Sequence, residues 1–134
     1  MKVELVPLSA VHDVWKYAEE FIKSGLEWGG DDYTIDQARA YISRGDWMLL
    51  VAVEDGSVHG AAAVHIYNMP NYRTAFVVAI GGKLVSSQDT FAQMCAIFRQ
   101  FGASRVQGVA RESIARLWKR YGFREKYSLV EAKI

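Results

Sequence analysis

Leu117-Trp118-Lys119-Arg120-Tyr121-Gly122-Phe123 is the stretch on which the reading of the fold turns. Ile114, Leu117, Trp118 and Tyr121 recur at helical spacing, and Gly122 stands where a helix running from Ser113 to Tyr121 would end. Just upstream, Arg105 to Ala110 has the character of a short strand. Before that, Phe91, Met94, Cys95, Phe98 and Phe101 share one face of a helix that begins beyond Ser86-Ser87-Gln88-Asp89 and stops at Gly102. Thr74 to Ile80 is apolar on both alternating sets, as in a central strand covered on both faces, and Gly81-Gly82 is expected to interrupt it.

Toward the N-terminus, Trp47 to Glu54 and Val58 to about Tyr67 form a hairpin around Asp55-Gly56-Ser57, with a second turn at Asn68 to Asn71. Thr34 and Gln37 make the T-x-x-Q capping box of a helix closed by Gly45. Val11, Val14, Trp15, Ala18, Phe21, Ile22 and Leu26 form the stripe of an amphipathic helix, with Ser9 as its expected N-cap. A short edge strand precedes it around Val3 to Val6, where Pro7 suits a strand end. Arg124 to Ile134, rich in Tyr, Val and Leu, is expected to be a last strand. The class is α/β, with a mixed central sheet of about six strands and four helices in the order β-α-α-β-β-β-α-β-α-β.

Length and composition bound the function. A chain of 134 residues fits one domain spanning 1–134, and 51% hydrophobic with 23% charged residues is a globular balance. Sixteen basic against fifteen acidic residues give +1, which supplies no global field for nucleic acid or an anionic membrane. The longest apolar run, Trp47 to Val53, is seven residues, short of a membrane span, and no signal peptide opens the chain, so a soluble intracellular protein is expected. Cys95 is the single cysteine and lies on the apolar stripe of its helix, where packing explains it better than nucleophilic chemistry. His12, His59 and His65 stand apart from any second ligand at metal-binding spacing, so no metal is expected.

The order of elements, with Leu117 to Phe123, resembles the GCN5-related N-acetyltransferase (GNAT) superfamily, whose fourth helix usually ends in L-Y-x-x-x-G-F. The resemblance implies a GNAT-like domain with acetyl-CoA between splayed fourth and fifth strands. Val78, Ile80, Gly81, Gly82, Lys83, Ser87 and Trp118 would then be cofactor-binding, and Tyr121 or His65 would be catalytic. His65 acts as a base only if it faces the cleft; otherwise it is an ordinary strand histidine.

Three features depart from the family pattern. The stretch Gly81 to Asp89 lacks the R-x-x-G-x-G/A phosphate loop, and Asp89 puts a negative charge at a helix start. Trp118 occupies the position of the usual tyrosine acid, and Thr74 to Ile80 carries no carboxylate base.

A narrower pattern is similar to small GNAT-like proteins of tailed-bacteriophage head and tail genes, some called internal virion proteins. It consists of Val77 to Gly82, Phe101-Gly102-Ala103, Arg105 to Arg111, and Tyr121 to Arg124 with the tail to Ile134. That likeness implies a virion or assembly component in the particle or the host cytoplasm. It would bind phage structural proteins or a host protein through a degenerate acetyl-CoA site and need no cofactor. The alternative is an active N-acetyltransferase, with acetyl-CoA as cofactor and an amine acceptor, a host protein among the candidates; a host-defence antagonist is a third reading.

Other residues keep two readings. Glu27, Asp31 and Asp32, beside Trp28 and Tyr33, border an acceptor site or are solvated turn carboxylates. Arg111, Arg116, Lys119, Arg120, Arg124 and Lys126 form a solvated face or a phosphate- or partner-binding patch. Met69, Pro70 and Tyr72 at a turn point to a contact surface.

Overall fold

A computed structural model of the chain describes residues 1–85 and 87–134, with the side chain of Val85 left undescribed. Five strands, β1 (Lys2–Leu5), β2 (Met48–Glu54), β3 (Ser57–Asn68), β4 (Arg73–Gly82) and β5 (Arg105–Gly108), lie side by side in chain order. The first four are antiparallel and β5 runs parallel to β4. Helices α1 (Val11–Trp28) and α2 (Ile35–Ser43) join β1 to β2. Helix α3 (Gln88–Gln100) makes the crossover that a parallel pair requires, and α4 (Glu112–Lys119) follows β5.

The β2–β3 turn shows the local logic of the sheet. Asp55 at φ 52 and Gly56 at φ 75 put both central residues in the left-handed region, and the twist of such a two-residue turn matches that of paired strands.

Both faces of the sheet are covered. On one, Val11, Trp15, Ala18, Ile22 and Leu26 of α1 and Ala38 and Ile42 of α2 bury Leu49, Val51, Ala61, Ala63 and Ala79. On the other, Met94 and Phe98 of α3, with Leu84, bury Leu50, Ala52, Ala62, Val64, Ala75 and Val77. This is why Trp47 to Val53 is uniformly apolar: alternate residues enter two different cores. Among the described residues, no helix is long and apolar enough to cross a membrane.

The capping box of α2 is complete. Gln37 N–H donates to Thr34 Oγ1 at 3.2 Å, and Thr34 N–H donates to Gln37 Oε1 at 2.9 Å. Thr34 is exposed, so Thr34→Ala removes the cap with little other disturbance; a loss of about 1 kcal/mol is expected, read as a lower urea midpoint at unchanged slope.

The structure corrects the sequence reading at three places. There are five strands among the described residues, not six: residues 123–134 form no ladder, and Tyr127, Leu129 and Val130 are 74%, 81% and 88% exposed. A Tyr-, Val- and Leu-rich composition suits a pleated, half-covered surface, and here no partner strand supplies one. Phe123 at its start packs on Trp118 at 5.0 Å and on Phe91 at 5.2 Å, and beyond it exposed ion pairs run from Lys119 to Glu125 at 3.1 Å and from Lys133 to Asp31 at 3.4 Å.

Ser9 does not cap α1. Ala10 N–H donates to the Pro7 carbonyl at 2.9 Å, making Leu8–Ala10 a 3-10 turn, and Ala10 takes the N-cap position without a side-chain bond.

Gly81 and Gly82 do not interrupt β4 but continue it, paired with Ala61 and Gly60. Their role is close approach: a Cβ on Gly81 would overlap the Phe21 carbonyl of α1.

Candidate functional site: a cleft where two strands part

β4 and β5 pair from Thr74 opposite Arg105 to Val77 opposite Gly108, and there the ladder stops. β4 continues to Gly82, and among the described residues no strand pairs with that edge. The parting coincides with a bulge. Across β3, Ala63 faces Ala79 and Val64 faces Val77, which leaves Val78 without a partner. Packing agrees: Val77 enters the α3-side core, Val78 and Ala79 both turn toward the α1 side, and Ile80 returns to the α3 side. A bulge bends and twists its strand, so β4 swings away from β5 at the residue where the pairing ends.

The result is a cleft of about 220 Å³. Ser24, Gly25 and Trp28 of α1 form one wall. Val77 to Gly82 form the floor, and Val109, Ala110, Arg111, Ile114 and Trp118 form the other wall. Gly25 sets how close α1 comes, because its missing Cβ would lie 2.6 Å from the Ile80 nitrogen. On the opposite wall, a Cβ on Gly108 would lie 3.2 Å from the Trp118 ring, so the indole rests directly on the end of β5. The open β4 edge therefore lines a partly open cleft, where an extended molecule with amide groups can pair with its main-chain N–H and C=O groups.

The connection from β4 to α3 is organised around itself. Lys83–Val85 forms a 3-10 turn, and Ser87 caps α3, its Oγ accepting the Thr90 N–H at 3.1 Å. Thr90, itself buried, donates its hydroxyl to the Leu84 carbonyl at 3.1 Å. Asp89 adds a carboxylate to the first turn and accepts from Gln93 Nε2 at 2.9 Å. One amide of the helix start is thus already bonded and its dipole already faces a negative charge, both unfavourable to a bound diphosphate. Ser86, part of the expected phosphate connection, lies outside the described residues.

Of the candidate residues, Val78, Ile80, Gly81, Gly82 and Trp118 come together around the cleft. Lys83 sits exposed on the 3-10 turn and Ser87 caps α3; neither lines the cleft. Tyr121 stacks on Phe91 at 5.6 Å and borders a separate void of about 10 Å³ with Trp118 and Phe123. His65 lies on β3 opposite Phe76, its ring 4.9 Å from Tyr67, and does not line the cleft. Cys95, on α3, is half-buried, and burial pushes its thiol pKa up against the opposing pull of Arg99.

Asp31 and Asp32 meet Glu131 within 4.8 Å, all three exposed, with Lys133 on Asp31. Tyr33 packs edge-on to Trp47 at 4.8 Å, which anchors the α1–α2 connection against the core.

Sequence reading missed Ser24, Gly25, Val77, Ala79, Val109, Ala110 and Ile114 as cleft residues, and took Arg111 for one charge of a solvated face or a phosphate- or partner-binding patch. One signal was present: a glycine inside the α1 pattern costs helix stability and asks for a reason such as close backbone approach.

No protein-family model matches the sequence, and no curated protein matches it. Solved structures do. A ribosomal-protein-alanine N-acetyltransferase from Brucella melitensis biovar Abortus 2308 superposes with a TM-score of 0.69 at 13% identity, covering 100% of both chains. An aminoglycoside acetyltransferase from an uncultured soil metagenomic sample, in complex with trehalose, gives 0.71 at 8% identity over 99% of this chain and 94% of that one. A predicted acetyltransferase from Clostridium acetobutylicum, solved with acetyl-CoA, gives 0.67 at 11%, covering 98% and 95%. The chain has a GNAT-like α/β fold, and at these identities the likeness shows the fold alone.

Proposed function

We propose that the protein is an N-acetyltransferase that takes its acetyl group from acetyl-CoA and passes it to an amine. The observation that carries this reading is the bulge at Val78, which opens a polar strand edge inside a 220 Å³ cleft. The residues fit the donor's extended amide-bearing arm: main-chain groups from Val78 to Gly82 would pair with it, and Ile114 and Trp118 would wall it. They do not cradle the diphosphate end, where Ser87 and Asp89 serve α3 itself.

Acetyl-CoA supplies an acetyl group activated as a thioester. The chain's part is to hold and orient. Among the described residues, no imidazole or carboxylate lines the cleft, so water takes the proton that the amine loses as its nitrogen bonds the thioester carbon, and the thiolate released as the C–S bond breaks takes a proton from water. The structural neighbours support the reading: one is a ribosomal-protein-alanine N-acetyltransferase, one an aminoglycoside acetyltransferase, and one a predicted acetyltransferase solved with acetyl-CoA.

A second reading, a binding component of a phage particle or its assembly, is favoured by the self-capped start of α3 and by the exposed tail side chains. Thermal unfolding with acetyl-CoA separates the two. Ligand at about 100 times its dissociation constant should stabilise the native state by about 2.7 kcal/mol. Asp89→Asn, which removes the like charge but keeps an acceptor for Gln93, should tighten binding about two- to fivefold. A flat series to millimolar acetyl-CoA, together with co-sedimentation with phage particles, would establish the binding role instead.

A further inference from the structure

We infer that Arg111 is the acceptor-recognition residue and that the acceptor is a small amine carrying a carboxylate. The inference deepens the proposed transferase reading and rests on it for the role of acceptor; the carboxylate site itself does not depend on it.

Arg111 is the one charged side chain lining the cleft among the described residues. Its guanidinium lies 4.3 Å from the centre of the Trp28 ring, and among the described residues no side-chain hydrogen bond or ion pair engages it. Stacking uses the face of the group and leaves its N–H donors in the plane, the fork that matches a carboxylate. Trp28 supplies an apolar surface beside the cation.

Position assigns the charge to the acceptor rather than the donor. Along the open edge of β4, Phe21 of α1 meets Gly81 and Gly25 meets Ile80, so Trp28, further along the same helix, and Arg111 stacked on it stand toward the Val78 end, while a donor arm laid along that edge would carry its diphosphate past Gly82. A carboxylate beside Trp28 would thus meet an exposed cation stacked on that ring, and among the described residues no lining carboxylate opposes it.

The test compares L-leucine with L-leucinamide, which differ at the carboxylate. Binding is followed by tryptophan fluorescence, because Trp28 is 55% exposed while Trp15, Trp47 and Trp118 are buried. Leucine is expected to bind at least about tenfold more tightly, and Arg111→Gln to abolish that ratio. Arg111→Lys, which keeps the charge but not the fork, should restore part of it. Acetyl transfer, read as free thiol released from acetyl-CoA, should show the same preference; comparing each amine across wild type and Arg111→Gln cancels their differing reactivity.

Equal or tighter binding of leucinamide, a preference that survives Arg111→Gln, or no binding of either amine overturns the inference. If acetyl-CoA stabilises the protein without any such preference, the inference falls and the transferase reading stands. If leucine binds through Arg111 but acetyl-CoA neither stabilises nor reacts, the transferase reading falls and the carboxylate site stands.

Discussion

Gly25→Ala is expected to destabilise the protein by about 2–3 kcal/mol, with a fall in Tm of roughly 10 °C in a calorimetric scan. The sign is the point of the experiment. In an exposed helix interior the same change gains about 1 kcal/mol, because alanine is the better helix former. Here the new Cβ would stand 2.6 Å from the nitrogen and 2.8 Å from the oxygen of Ile80, and 3.1 Å from the Ala79 Cβ. Two of those three atoms are backbone in an interior strand and cannot swing aside as a side chain would. Helix α1 must lift off β4, and Ala18, Ile22 and Leu26, all buried on the same stripe, lift with it. A neutral or stabilising result would mean that α1 and β4 are not in backbone contact, and the wall of the cleft would have to be drawn again.

Deleting Val78 is expected to leave a folded protein whose affinity for acetyl-CoA is reduced about 100-fold. The residue is extra in the ladder: with it gone, Ala79 still faces Ala63 and Val77 still faces Val64, so the faces of β4 on either side keep their cores. What disappears is the bend. A straightened β4 runs on alongside β5, closing the cleft and covering the main-chain groups of Val78 to Gly82. Loss of two or three hydrogen bonds at about 1 kcal/mol each accounts for the size of the effect. Circular dichroism and a melting curve without ligand establish that the variant folds, and titration calorimetry reads the affinity. Unchanged affinity in a folded variant would show that the bulge does not make the binding edge.

Much of this architecture was legible in the residues themselves, because the relevant signals are local. Asp55-Gly56 specifies its turn through backbone preference, Thr34 and Gln37 bond to each other's backbone, and the stripe from Val11 to Leu26 has one period and one meaning. The bulge was not legible, for a physical reason. Alternation reveals a register shift only when one face is polar, and Val77-Val78-Ala79-Ile80 is apolar throughout because both faces of β4 are covered. Gly81-Gly82 signalled a special backbone position, but a glycine pair means a turn or a close approach, and Phe21 of α1, which decides between them, is distant in sequence. The tail misled because strand propensity expresses itself only against a partner. Arg111 and Trp28 are joined by the fold alone, so Arg111 read as one basic residue among six.

The most direct measurement is a crystal structure of the protein with acetyl-CoA. The account predicts density for the donor's amide-bearing arm along β4 between Val78 and Gly82, hydrogen-bonded to main-chain groups of that edge, with the diphosphate lying outside the turn of Ser87 and Asp89. An empty cleft at saturating acetyl-CoA, or a ligand anchored at the start of α3 with the β4 edge unoccupied, would contradict it.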